Sequence, residues 1–195
     1  SSSVGEDAPY ETFFRDEAAL VVVIVAEDDD CSSVGESFRL FSREELGPVE
    51  TRCALHRDLL SPVDEYVELL RSMKPERPDR LLVELIAGLP DEEVWAPGDD
   101  IAQLEALVRV DPENSEDLVP ICESRTSTGI EVEPSPPVRL IEFVSQFPLE
   151  NVDVSNMCAL IDGPTGTSRE FRDRMSSLIY RRANGMCAPY ELEVD

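Results

Sequence analysis

A chain of 195 residues with 42% apolar content is long enough for one well-cored domain. Its 42 acidic residues against 17 basic ones give a net charge of −25, with Lys74 the only lysine. That balance argues against nucleic acid and against an anionic membrane surface as partners, because both are held through clustered basic side chains.

Beginning at Ser1 without a signal peptide, and with no apolar stretch near the roughly 18 to 20 residues of a membrane span, the chain reads as a mature or trimmed product. Residues 1–12 are polar and expected to be irregular; one α/β domain is expected over residues 13–195. The first strand is placed at 19–26, where Leu20, Val21, Val22, Val23, Ile24 and Val25 form an almost wholly β-branched run. Apolar on both faces, it has the composition of a central strand and demands cover on each side. From Ser32 to Arg57 no clean periodicity appears, so a long loop with one short helix near Ser42–Leu46 is expected.

Ser61 and Pro62 supply a helix cap and a first helical residue, and Val63, Tyr66, Val67, Leu70 and Met73 form one buried stripe ending at Pro75. A second strand follows at 81–88, and strand, helix, strand implies a parallel pair joined by a crossover. Between Asp91 and Ser135 only a short helix over 100–108 stands out. Ser135, Pro136 and Pro137 open a helix running to Phe147, a short strand is expected within 152–160, and Thr167 with Glu170 makes a capping-box start for a last helix ending at Asn184 and Gly185.

The strand at 19–26 runs straight into Glu27, Asp28, Asp29 and Asp30. Ligands of open α/β sheets sit beyond the carboxyl ends of strands, so this cluster is a candidate Ca²⁺ or Mg²⁺ site. Adjacent acids point different ways, which favours the alternating pair Glu27 and Asp29 as ligands; the alternative is a solvated acidic turn. Gly163 to Ser168 lacks the lysine and spacing of a phosphate loop. His56 near Asp58 has no accompanying nucleophile, and Trp95 reads as a loop anchor. Five cysteines, Cys31, Cys53, Cys122, Cys158 and Cys187, lie far apart without close pairs, which suits disulfides in an oxidising compartment better than zinc ligation and leaves one thiol over.

The order of several short phrases resembles the C-terminal part of the von Willebrand factor A-like domains of secreted, lipoprotein-type proteins from myxobacteria and their relatives. They are Phe14 to Ser32, Arg52-Cys53-Ala54-Leu55-His56, Leu118 to Cys122, Arg139 to Phe143, and Met186-Cys187-Ala188-Pro189. The resemblance implies a three-layer, mostly parallel doubly wound α/β sheet with a divalent-ion adhesion site. That family builds its ion site from an Asp-x-Ser-x-Ser loop, a threonine and a later aspartate. Here Glu27 occupies the last position, and no such loop precedes the strand. Chain proximity and these family-like contexts suggest bridges Cys31–Cys53 and Cys122–Cys158, although spacing alone leaves the connectivity open.

The function expected is a non-enzymatic extracellular module for binding, adhesion or assembly at the cell surface, taking a protein partner or a second copy. Two alternatives remain: a metal-assisted hydrolase using the acidic cluster, and a structural subunit whose open sheet edge a neighbour completes.

Overall fold

A computed structural model describes residues 17–33, 42–91, 94–96, 98–126 and 128–161, together with positions 176 and 180. Residues 1–12, expected to be irregular, residues 163–168, most of the span expected as the last helix, and Cys187 lie outside the described residues.

Among the described residues, three parallel strands, β1 (Leu20–Ala26), β2 (Leu81–Ala87) and β5 (Val152–Asn156), form the main sheet in the order β1-β2-β5. Leu20 pairs with Leu81 and Ala26 with Ala87, and Val83 of β2 pairs with Val152 of β5. A parallel pair needs a long crossover, and the chain between β1 and β2 supplies it with three helices: α1 (Arg43–Leu46), α2 (Val49–Leu55) and α3 (Val63–Ser72). After β2 come α4 (Ile101–Glu105), a two-stranded antiparallel hairpin of β3 (Ser124–Arg125) and β4 (Glu131–Val132), and α5 (Val138–Ser145). The short helix α6 (Met157–Ile161) follows β5 directly.

The α/β class and the parallel β1–β2 pair agree with expectation, but the centre of the sheet does not fall where composition put it. Every residue of β2 is buried, whereas β1 has β2 as its one neighbour among the described residues, and its Val23 and Val25 are 37% and 54% exposed. An unbroken apolar run therefore marks a strand without saying how many neighbours it has. Alternation divides the sheet into two faces. Val83, Leu85 and Ala87, with Leu20, Val22 and Ile24 packed beside them, meet Val63 and Val67 of α3, Leu104 of α4, and Val138, Ile141 and Val144 of α5, and Trp95 is buried in the same core. On the opposite face Ile86 packs with Val132 of β4 and Met157, Leu160 and Ile161 of α6.

Several boundaries also move. Pro62, not Ser61, is the residue before α3, and Ser61 is freed for other bonds. The stretch expected as a long loop holds two helices, the first closed by the Glu45 carboxylate accepting the Ser42 N–H at 2.9 Å. The strand expected within 152–160 stops at Asn156, because the Asn156 side chain accepts the Cys158 N–H at 3.0 Å and so starts a helix there. Asp100 caps α4 through the Ala102 N–H at 2.9 Å.

Gly88, just past β2, is required for close packing. A Cβ there would overlap the Pro134 ring and lie 3.0 Å from Ile121 Cγ2. Gly88→Ala is expected to lower stability by about 1–3 kcal/mol through overpacking, read as a reduced urea midpoint. An unchanged midpoint would mean that the Pro134 loop yields freely.

Candidate functional site

The acidic loop leaves β1 and runs beneath the start of α5. Two prolines precede that helix, and its first free amides are accounted for one by one. Val138 N–H bonds Pro136 O at 3.0 Å and Ile141 N–H bonds Pro137 O at 2.9 Å. Between them, Arg139 N–H donates to both Asp29 oxygens at 3.0 and 2.9 Å, and Leu140 N–H donates to Asp29 Oδ1 at 3.1 Å. Asp29 thus caps a helix more than a hundred residues away, placing a carboxylate at the positive end of its dipole. The loop backbone is fixed as well: Ser135 N–H donates to Glu27 O at 3.1 Å, and Asp29 N–H to Ser135 Oγ at 3.3 Å.

Asp30 faces the Arg139 guanidinium. Its Oδ2 accepts from Nε at 3.1 Å and Nη2 at 2.9 Å, while its Oδ1 accepts from Ser32 Oγ at 2.6 Å and Ser32 N–H at 3.2 Å. Arg139 is 4% exposed, and its Nη2 also donates to Ser61 O at 2.8 Å. Ser61 N–H in turn bonds Ser32 O at 2.9 Å, so the loop, the start of α3 and the start of α5 form one polar knot. Glu27 and Asp28 stand apart from it with exposed side chains. Of the four predicted ligands, then, the structure joins Asp29 and Asp30 through Arg139 and leaves the other two in solvent. Among the described residues no group of three or more His, Cys, Asp or Glu side chains is arranged to hold a metal ion.

Burial pushes the Asp29 carboxyl up to about 6, against the opposing pull of the backbone N–H groups of Arg139, Leu140 and Asp30 and of the Arg139 charge. The folded chain then holds a proton between about pH 4 and 6 that the unfolded chain releases. The contribution of this group to stability is full below about pH 4 and is lost as pH rises through 6, by at most about 3 kcal/mol. Asp29→Asn keeps an acceptor for the helix amides and removes the titration. The stability of wild type minus that of the variant is expected to fall as pH is raised from 4 to 7; urea midpoints giving a flat difference would refute it.

Both disulfides lie at the same end of the sheet. Cys31–Cys53, with Cα atoms 5.3 Å apart, ties the acidic loop to α2, and Cys122–Cys158, at 6.4 Å, ties the chain before β3 to α6. Next to the second bridge, Asn156 clamps the end of β2, its Nδ2 donating to Leu89 O at 3.0 Å and its Oδ1 accepting Leu89 N–H at 3.3 Å. His56 closes α2 as its last cap, and its N–H bonds Arg52 O.

A cleft of about 180 Å³ adjoins the knot. It is lined by Ile24 of β1, Val63 and Tyr66 of α3, Leu140 and Phe143 of α5, and the polar trio Asp30, Ser32 and Arg139. Arg139 organises this end of the sheet, a role that its position within 139–143 does not announce. One signal was present: an arginine in the first turn of a helix opposes the helix dipole, which suggests that its charge is needed elsewhere.

Compared with known proteins, the chain matches no family model, no curated protein sequence and no solved structure. Among the described residues, no helix is long and apolar enough to cross a membrane.

Proposed function

We propose that the chain is a non-enzymatic binding or assembly module of the cell exterior, built on a von Willebrand A-like scaffold. The observation that carries this proposal is the use of polar groups at the carboxyl end of the sheet. In an open α/β enzyme those groups face the substrate; here Asp29 holds the amides of α5, Asp30 holds Arg139, Asn156 holds Leu89, and two disulfides tie the same segments to α2 and α6. Paired cysteines fit an oxidising compartment. A parallel three-stranded sheet with structure against both faces is compatible with the proposed scaffold. A divalent ion forms no part of the proposal, since one placed at Asp29 would meet the two N–H donors that already occupy its oxygens.

The test is the intact mass of the native assembly from the source material, with every co-purifying chain identified. A stable complex heavier than the 21.7 kDa chain is expected. A native monomer that turns over a hydrolysable substrate, with loss of turnover in Asp30→Asn, would replace the proposal with the hydrolase alternative.

A further inference from the structure

The binding reading leaves open where a partner sits, and three features converge on β1. It is an edge strand: it pairs with β2, and no second strand lies against it among the described residues. An unpaired strand edge is a template for another strand, and β1 itself carries no proline, no charged residue and no bulge across its seven residues. Its two faces offer what an added strand needs for its alternating side chains. On the core face, Ile24 lines the 180 Å³ cleft with Tyr66, Leu140 and Phe143, a volume suited to one apolar side chain and smaller than the usual small-molecule site. On the other face, Val23 and Val25 are exposed.

Charge identifies the occupant. Glu27 and Asp28 project into solvent immediately past the end of β1, and the whole chain carries −25. A second copy would bring the same charge to the edge and be repelled, whereas an extended segment with a basic residue beside Glu27 and Asp28 would be drawn in.

Resting on the binding-module proposal above, we infer that β1 is the docking edge for an extended partner segment, added as a further strand, with alternating apolar side chains and a basic end. Main-chain hydrogen bonds to β1 supply affinity, and the Ile24 cleft, the Val23–Val25 surface and the Glu27–Asp28 pair supply selectivity.

The experiment selects binders from a library of random ten-residue peptides on the disulfide-intact full chain. The enriched peptides are then titrated against variants and mapped by amide hydrogen exchange. Enriched sequences are expected to alternate apolar residues and end in lysine or arginine. They should slow exchange at alternate amides of residues 20–26, lose at least tenfold in affinity on alternate N-methylation, and lose at least tenfold against Val25→Lys. Glu27→Gln with Asp28→Asn should weaken them severalfold. Val25 is more than half exposed, so its variant tests docking rather than folding, which circular dichroism verifies.

The inference is overturned if no sequence is enriched, if binders tolerate both N-methylation and Val25→Lys, or if sedimentation shows the chain pairing with itself through β1. A native assembly that survives Val25→Lys would reject this edge while leaving the binding-module proposal intact.

Discussion

Replacing Cys53 and Cys158 together by serine is expected to lower stability by about 7 kcal/mol and to leave the chain largely unfolded at 37 °C. The bridges span 22 and 36 residues, and in the chain-entropy model loops of those lengths contribute about 3 to 4 kcal/mol each. Domains of this size have total stabilities of about 5–15 kcal/mol, so losing both removes from about half to all of it. Sequence position also matters. Cys31–Cys53 anchors the loop that caps α5 and holds Arg139, so its loss frees a segment on which two helix starts depend. The Cys122–Cys158 bridge closes the longer loop and lies beside the Asn156 clamp. Urea unfolding of the single and double variants checks the prediction, with Cys158→Ser losing slightly more than Cys53→Ser. A combined loss under about 2 kcal/mol would mean that the reduced, unfolded chain is already so compact that the cross-links remove little of its freedom.

What was legible in the sequence was local. The strand at 20–26, the strand at 81–87 and the stripe of α3 each follow from a few adjacent residues, and their boundaries hold within a residue or two. What was illegible depended on contacts across the chain. Composition made β1 the central strand because seven apolar residues look alike whether one neighbour or two pair with them; Glu84 sits in β2, the strand that is fully buried, where it accepts a hydrogen bond from Ser155 Oγ at 3.2 Å. A carboxylate in a run therefore did not signal exposure. The acidic cluster shows the same limit. Four consecutive acids point to an ion, yet the donors that meet Asp29 and Asp30 are two backbone N–H groups and a guanidinium at residues 139 and 140, which no local pattern connects to residue 29. An open sheet edge completed by a neighbour was among the sequence alternatives, but that β1 forms it, with a cleft beside it, depends on the sheet order.

The second large effect is expected at Arg139. Arg139→Met keeps the length and apolar stem of the side chain while removing the guanidinium, and is expected to cost about 2–4 kcal/mol, somewhat under the range for breaking a fully buried pair from one side, because Arg139 is buried but the Asp30 side chain is 27% exposed. Three losses combine. The Asp30 carboxyl group loses the guanidinium that it faces; Ser61 O loses its donor at 2.8 Å; and the tie between the starts of α3 and α5 is cut. Arg139→Lys should recover only part, because one ammonium cannot reproduce the Nε and Nη2 fork on Asp30 while also reaching Ser61 O. Asp30→Asn alone should cost less than Arg139→Met, since the guanidinium keeps Ser61 O and an amide oxygen can accept one of its N–H groups. The double variant, Arg139→Met with Asp30→Asn, separates the causes. If the stranded carboxylate dominates, the double variant is more stable than Arg139→Met alone and the cycle shows a coupling above about 1 kcal/mol. If the cut tie dominates, the double is no better than the single. Urea midpoints for the four proteins at pH 7 decide between them, and a loss below about 1 kcal/mol in Arg139→Met would show that the knot does not hold this end of the sheet together.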